Sequence, residues 1–210
     1  ALPPPAVTLI HQLFMLMWAK AETPKDWTLS NTVLIPKPKG DPLEIKNKRP
    51  IALANTIYKL WTSLITASVA AFCPTAQILS DAQEAYRPRR NTERMVQGLL
   101  RAIEDAALTR QDLFALYVDY SQAFNTIDHD CLLVILEKLG LPHDLTANIR
   151  SLYRDARMRV VTEHGTTQDI KIERGTVQGD TLSPILFILY MEPLLRWLNH
   201  GGRGYAFGCL

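Results

Sequence analysis

Apolar residues recur at two different spacings along the chain and predict both helices and strands. Apolar positions three to four residues apart predict helices over Ala6–Ala19, Ile51–Phe72, Thr92–Leu108, Asp130–Leu139, Leu145–Tyr153 and Ser183–Leu198. Short β-prone runs predict a strand at Asn31–Ile35, a buried strand at Leu113–Val118 and a hairpin made by Arg157–Thr162 and Thr167–Ile172. Because the strands do not alternate strictly with the helices, the pattern predicts an α+β fold.

Composition and charge narrow the class of protein. Hydrophobic residues make up 47% of the 210 positions, which indicates a globular chain. The net charge is +2, yet the first 100 residues hold 12 Lys and Arg against 7 Asp and Glu, whereas the remainder holds 11 against 14. This asymmetry suits a basic N-terminal half that meets a phosphate backbone, although for charge alone an ordinary solvated surface is the favoured explanation.

Cysteine usage and the N-terminal segment argue against several other classes. The three cysteines form no C-x-x-C pair, so neither a disulfide framework nor a zinc site is predicted. The apolar stretch Ala6–Ala19 is too short to cross a bilayer and follows no basic leader, so no membrane partner is expected. The chain does not begin with Met, which suggests that it was cut from a longer protein.

Two segments carry the chemistry. In LFALYVDYSQAFNTIDH, from Leu113 to His129, an apolar run delivers Asp119 to a strand end, where an ionised carboxylate needs a cation or hydrogen-bond donors. In ERGTVQGDTLSPILFIL, from Glu173 to Leu189, Gly175 and Gly179 permit close backbone approach, and Ser183 with the proline after it starts a helix.

These two segments, together with three earlier ones, resemble the reverse transcriptase family. The earlier segments are PKDWTLSNTVLIPKPKGD, NKRPIALANTIYKL and QEAYRPRRNT, and all five follow one another in the family's order. The resemblance is closest to the non-LTR (LINE-like) retrotransposon enzymes, with group II intron maturases as near relatives. It implies a right-hand polymerase fold with these parts: 1–82 as fingers, 83–129 as the first part of the palm, 130–172 as fingers-side helices and a hairpin, and 173–210 as an incomplete second part of the palm.

The resemblance also implies a set of site residues for template-directed nucleotidyl transfer by a two-metal mechanism. Asp119 and the backbone carbonyl of Tyr120 match ligands of Mg²⁺ or Mn²⁺, and Phe124 matches an aromatic residue that excludes a 2′ hydroxyl. The remaining matches are residues expected to contact the nucleotide, Lys37, Arg49, Gln178 and Gly179, and residues expected to hold the template, Tyr86, Arg87, Arg89 and Arg90.

The family's other carboxylates lie in a Tyr-x-Asp-Asp hairpin, and this sequence contains no Asp-Asp pair. We therefore expect a fragment that ends before the hairpin and is inactive by itself. The parent would act on an RNA template, a DNA primer and deoxynucleoside triphosphates, together with the rest of its open reading frame. An intracellular, nuclear location follows by analogy with retroelements.

Several positions depart from the family's usual motifs. Ala85 and Arg89 stand where glycines are common, Asn125 where aspartate is common and Thr181 where proline is common. These departures leave open an alternative, a decayed or domesticated domain that binds RNA without catalysis. A further stripe of Arg150, Arg154 and Arg157 is explained equally well as a phosphate-facing surface or as an exposed helix face.

Overall fold

The computed structural model describes residues 3–41, 43–177, 179–202 and 204–208. Within these ranges the helices are α1 (Pro4–Lys20), α2 (Thr56–Thr75), α3 (Thr92–Thr109), α4 (His129–Lys138), α5 (His143–Arg154) and α6 (Leu182–Asn199). The strands are β1 (Leu29–Pro36), β2 (Lys48–Leu53), β3 (Arg157–Thr162), β4 (Gly165–Thr166) and β5 (Ile170–Lys171). Single 3-10 turns cover Lys25–Trp27, Ile45–Asn47 and Ala123–Asn125.

Three helices begin where a polar side chain accepts a hydrogen bond from their first turn. Asn55 accepts from the Tyr58 N–H at 2.6 Å before α2, and Asp128 accepts from the Cys131 N–H at 3.0 Å before α4. Asn91 accepts from the backbone N–H of Arg94 before α3. Each cap satisfies an amide that lacks a partner within its helix, which fixes the start of the helix.

The five described strands form one mixed sheet. Its order is β2-β1-β3-β4, with β5 also paired to β3. β1 is antiparallel to β2 and parallel to β3, and both β4 and β5 are antiparallel to β3. The fold is therefore α+β with a mixed sheet, as the hydrophobic pattern predicts.

The core lies where α2, α4, α5 and α6 pack together. Trp61 and Ile65 of α2, Leu136 of α4 and Leu186 and Leu189 of α6 are fully buried there. By length and mean hydropathy alone, α2 is the one described helix that could cross a membrane. Because Trp61 and Ile65 belong to this core, the packing of α2 explains that composition.

Two sequence predictions about secondary structure are wrong. Residues 51–53 were expected to begin a helix but belong to β2, because Pro50 precedes them and they pair with Asn31–Val33 of β1. Leu113–Val118 is not a buried strand: the segment is irregular, with Phe114 91% and Leu116 88% exposed. No described strand pairs with this segment. Its backbone N–H and C=O groups therefore lack ladder hydrogen bonds from a neighbouring strand, and its apolar side chains remain exposed.

Two further predictions need adjustment. The second arm of the predicted hairpin, Thr167–Ile172, is reduced to the two residues of β5. Ser183 does not cap α6, whose first flanking residue is Thr181; instead its hydroxyl donates to the Val177 carbonyl at 2.8 Å. The serine therefore ties the helix to the loop before it.

The start of α6 is also tied to α2 through a buried carboxylate. Asp180 is 6% exposed and accepts a hydrogen bond of 2.6 Å from the Thr62 hydroxyl, while its Oδ2 has no partner among the described residues. Burial raises the pKa of Asp180 above its ordinary value. The charged form of this side chain is therefore disfavoured by folding.

We predict that Asp180 makes the stability of the chain depend on pH. Its raised pKa gives a stabilising contribution that is complete below the ordinary value of 3.8 and is lost as the pH rises through the pKa of the folded chain. Asp180→Asn cannot ionise. Urea unfolding between about pH 3 and about pH 8 should therefore show the wild type losing stability relative to Asp180→Asn as the pH rises.

The exposed Asp112 provides the control for this measurement. Asp112→Asn removes the same charge from a solvated position, so its stability should run parallel to that of the wild type across the pH range. A constant difference between the wild type and Asp180→Asn would contradict the argument.

Candidate functional site

Three separate segments of the sequence meet around one cavity. β2 contributes Pro50 and Ala52, the 3-10 turn after Gln122 contributes Asn125, and the loop before α6 contributes Thr176 and Val177. Ser30 and Thr32 of β1 and Met158 of β3 form the side toward the sheet, and the cavity has a volume of about 280 Å³. Ala52, Asn125 and Thr176 are separated from one another by more than 50 positions in sequence.

The loop Glu173–Asp180 reaches this position because two glycines allow close backbone approach. At Gly175, with φ +87°, an added Cβ would lie 2.8 Å from the Asn125 Cα. At Gly179, with φ +108°, an added Cβ would lie 3.1 Å from the Ala52 carbonyl oxygen. The prediction that both glycines serve close approach is confirmed, and each also adopts a conformation that other residues rarely accept.

Backbone hydrogen bonds join this loop to the segment after Phe124. The Thr176 N–H donates to the Phe124 carbonyl at 2.9 Å, and the Gly175 N–H donates to the Ile127 carbonyl at 2.7 Å. A ring nitrogen of His129, Nε2, lies 2.7 Å from the Gly175 carbonyl. The two segments therefore form one unit, with α4 beginning beside it.

Phe124 lies at the junction of these segments. Its side chain is half-buried and its ring lies 5.0 Å from that of Phe187 on α6, measured between centroids. This packing holds the ring against α6. The ring itself does not line the cavity, whereas Asn125, the next residue in the chain, does. The sequence did not single out Phe187 as the packing partner of Phe124, although its position one turn after Ser183 in the helix could have suggested it.

Asp119 and Tyr120 lie on the irregular segment that precedes this unit, and both side chains are exposed. The described residues contain no group of three or more His, Cys, Asp or Glu side chains able to hold a metal. They offer the single carboxylate of Asp119 and thus do not by themselves fit a two-metal centre. Gln178 lies outside the described residues.

Lys37 and Arg49 lie at the end of the β1–β2 pair where the chain turns from one strand to the other. Arg49 is opposite Ile35 in the ladder, and both basic side chains are exposed. The Lys37 ammonium donates to the Lys46 carbonyl at 2.9 Å, which orients it along its own hairpin. Both charges are available to solvent beside the sheet, and their nucleotide contacts remain predictions.

The arginines of the loop between α2 and α3 fall into two kinds. Arg87 donates to the carbonyls of Ser80 and Gln83, at 2.8 and 3.1 Å. Arg90 is only 17% exposed at its side chain and pairs with Asp81 at 2.7 Å and Glu84 at 3.0 Å. Their template-binding role stays a prediction, but both side chains already hold the loop together.

Arg89 and Tyr86 differ from these two. Both side chains are exposed, and both residues have left-handed backbone, with φ 60° for Arg89 and φ 54° for Tyr86. Of the two residues that stand where glycines are common in the family, Arg89 adopts a positive φ and Ala85 does not. Arg89 is thus the arginine of this loop with strained backbone and a solvated side chain.

The carboxylates that hold Arg90 were not identified from the sequence. Glu84 is 10% exposed at its side chain and also lies 3.5 Å from the Arg94 guanidinium. The sequence did contain a signal for these ion pairs, because Asp81 and Glu84 precede the arginines by only a few positions.

Comparison with known proteins gives a family and several relatives. The family model described as "Reverse transcriptase (RNA-dependent DNA polymerase)" matches residues 35–206. The chain is 28% identical over 195 residues to a probable RNA-directed DNA polymerase from transposon BS of Drosophila melanogaster, covering 92% of this chain and 21% of that protein. It is 30% identical to the Pol polyprotein of the type-1 retrotransposable element R2 of Popillia japonica, covering 84% and 24%.

A third relative is the 149 kDa protein of transposon TX1 of Xenopus laevis, with 28% identity over 90% of this chain and 14% of that protein. The chain thus spans about a fifth of the length of these relatives. The family match covers most of the chain and includes β2, Asn125 and the loop before α6, whereas the cavity residues Ser30 and Thr32 precede the matched range. By this match the chain belongs to the reverse transcriptase family, in its non-LTR (LINE-like) branch.

Proposed function

We propose that this chain is the nucleotide- and template-binding part of a retroelement polymerase that copies RNA into DNA. The observation that carries the proposal is the meeting of β2, the Phe124 segment and the loop Gly175–Gly179 around one cavity. These are three segments of the family's sequence pattern. A concave site where several segments of the family pattern converge is the default place to expect a bound ligand.

In this proposal the cavity binds the incoming nucleotide. Phe124 would lie against the sugar and exclude a 2′ hydroxyl, while Lys37 and Arg49 would meet the triphosphate and Gln178 and Gly179 the sugar side. The support for the gate is the half-buried position of Phe124 and its packing against Phe187, which limits its movement. A fixed ring discriminates by steric exclusion better than a mobile one.

Asp119 and the Tyr120 carbonyl would be two ligands of a magnesium or manganese centre in the longer parent. When bound, such ions stabilise the charge that develops on the phosphoryl group as pyrophosphate leaves. The other carboxylates would come from a Tyr-x-Asp-Asp hairpin elsewhere in the parent. Pairing with that hairpin would also cover the exposed apolar residues Phe114 and Leu116 and give their irregular segment a neighbour with which to form a strand.

We predict that the 210-residue chain does not extend a primer with Mg²⁺ or Mn²⁺. One exposed carboxylate does not hold two divalent ions against their hydration. A longer protein that includes the hairpin should extend the primer, and Asp119→Asn in that protein should lower extension by several orders of magnitude, because the amide keeps the shape of the side chain but not its charge.

Asp112→Asn in the longer protein is the control, since it removes an exposed carboxylate from the same segment. It should leave the extension rate unchanged. Extension by the short chain, or retained activity with Asp119→Asn, would contradict the proposed metal ligand. A longer protein that binds RNA but never extends a primer would favour the non-catalytic alternative.

We also predict that Arg89→Gly makes the chain more stable and its RNA binding weaker. Glycine relieves the left-handed backbone at this position and should raise the free energy of unfolding by up to about 1 kcal/mol, while the loss of the guanidinium removes a phosphate contact. The measurements are urea unfolding and the dissociation constant for single-stranded RNA at several salt concentrations.

Arg110→Gly is a matched control. Arg110 is exposed, has φ 54° and ends α3, so this substitution makes the same change in charge and in backbone freedom. It should stabilise the chain without weakening RNA binding. Equal loss of RNA affinity in both variants would assign the effect to net charge and not to a template contact of Arg89.

A further inference from the structure

One wall of the cavity is formed by a loop that turns at a glycine. Thr176 and Val177 line the cavity and follow Gly175 directly in the chain. Gly175 has φ +87°, and glycine leaves the peptide groups on either side of it more rotational freedom than any other residue does. The position of this wall therefore depends on the groups that hold the two peptide groups of Gly175.

The carbonyl of Gly175 is held by the side chain of His129. Nε2 of the imidazole lies 2.7 Å from the carbonyl oxygen. Because a carbonyl oxygen only accepts, Nε2 carries a proton and donates it, whether the imidazole is neutral or charged. Gly175 is buried, so a carbonyl that lost this donor would find little water to replace it.

His129 is itself fixed to the helical core. It is the first residue of α4, the helix that Asp128 caps. Its ring packs against the buried ring of Tyr153 on α5, with the two centroids 4.8 Å apart. A donor that is held by two helices in this way has a defined direction, and it connects the position of the loop to the position of those helices.

Among the described residues, two side chains bond the segment from Gly175 to Val177, and they bond opposite ends of it. The Ser183 hydroxyl donates to the Val177 carbonyl, and His129 donates to the Gly175 carbonyl. The N–H groups of Gly175 and Thr176 are bonded by backbone carbonyls. Since Ser183 belongs to the helix that the loop itself enters, His129 is the side chain that ties the loop to a separate element.

We propose that His129 is a positioning residue for the incoming nucleotide. By holding the Gly175 carbonyl, it keeps Thr176 and Val177 in the place where they form the wall of the cavity. The inference rests on the proposed function, because that function assigns the nucleotide to the cavity. His129 acts through the loop and does not touch the nucleotide, and the sequence gave no role to this residue.

Two substitutions separate the hydrogen bond of His129 from the packing of its ring. His129→Phe keeps a ring against Tyr153 but has no donor, whereas His129→Gln keeps an N–H donor but has no ring. If the hydrogen bond positions the loop, His129→Phe is the more impaired variant. If only the packing matters, His129→Gln is the more impaired variant.

The first measurement is the hydrogen exchange rate of the Gly175 and Thr176 amides in the 210-residue chain, followed by NMR. These amides donate to the Ile127 and Phe124 carbonyls and therefore report whether the loop stays docked. His129→Phe should speed their exchange on the order of tenfold, and His129→Gln far less. The amide of Ile65, in the core part of α2, should change less than either, because the loop opens locally.

The second measurement is the steady-state kinetics of the longer protein that extends primers. His129→Phe should raise KM for the deoxynucleotide on the order of tenfold, because the displaced wall binds the nucleotide less well. The same variant should change kcat and KM for the template–primer by less than about threefold, since the loop wall belongs to the nucleotide cavity. His129→Gln should restore most of the affinity for the nucleotide.

His143→Phe is the matched control. His143 is the first residue of α5, as His129 is of α4, but its side chain is exposed and forms no hydrogen bond within the described part of the chain. The same substitution at this position should leave both the exchange rates and KM at their wild-type values.

Wild-type exchange at Gly175 and Thr176 in His129→Phe would overturn the inference, and so would a His129→Gln variant that is impaired as much as His129→Phe. Faster exchange with an unchanged KM for the deoxynucleotide would also overturn it, since the loop would then not position the nucleotide. A longer protein that never extends a primer would refute the proposed function instead, and exchange in the 210-residue chain would still decide whether His129 holds the loop.

Discussion

The close contact between the loop Gly175–Gly179 and its two neighbours is the constraint on which the rest of the site depends. On one side the loop lies against Asn125 so tightly that a Cβ at Gly175 has no room, and on the other side Gly179 approaches the Ala52 carbonyl. Hydrogen bonds from Gly175 and Thr176 to the Ile127 and Phe124 carbonyls hold this arrangement. Without it, the sheet and the Phe124 segment would not share a cavity.

The loop is in turn fixed at its far end by α6. The Ser183 hydroxyl binds the Val177 carbonyl, and Asp180 receives a hydrogen bond from Thr62 of α2. Burial of Asp180 destabilises the folded chain when the carboxyl ionises, and for this reason the pKa of Asp180 is raised. The hydrogen bond to Thr62 offsets part of that cost and connects the position of the loop to the helical core.

Local patterns in the sequence predicted the helices well, since their periodicity and caps act over a few residues. The caps were less visible, since Asn55, which caps α2, lies inside the helix predicted from residue 51. Glycine positions were also predictable, because Gly175 and Gly179 have few other uses in a loop. The family resemblance supplied the order of the motifs and hence the segments that should meet.

Properties that depend on distant partners could not be predicted. Leu113–Val118 has the composition of a buried strand, but a strand forms only where a neighbour offers hydrogen bonds, and no described segment does so. Arg87 and Arg90 looked like free phosphate ligands, because the carbonyls and carboxylates that hold them are set by the fold of their loop. Residues 51–53 were assigned to a helix since pairing with β1 is not visible in local periodicity.

The central claim is that the cavity beside Phe124 receives the sugar of an incoming deoxynucleotide. The most direct measurement is the ratio of kcat/KM for a ribonucleotide to that for the matching deoxynucleotide, in a longer protein that contains this chain and extends primers. Phe124→Ala should raise this ratio on the order of tenfold or more, since the ring no longer excludes the 2′ hydroxyl. Phe124→Tyr, which keeps the ring, and Phe187→Leu, which weakens only its support, should raise the ratio far less. An unchanged ratio in Phe124→Ala would show that Phe124 serves packing and that the cavity does not select the sugar.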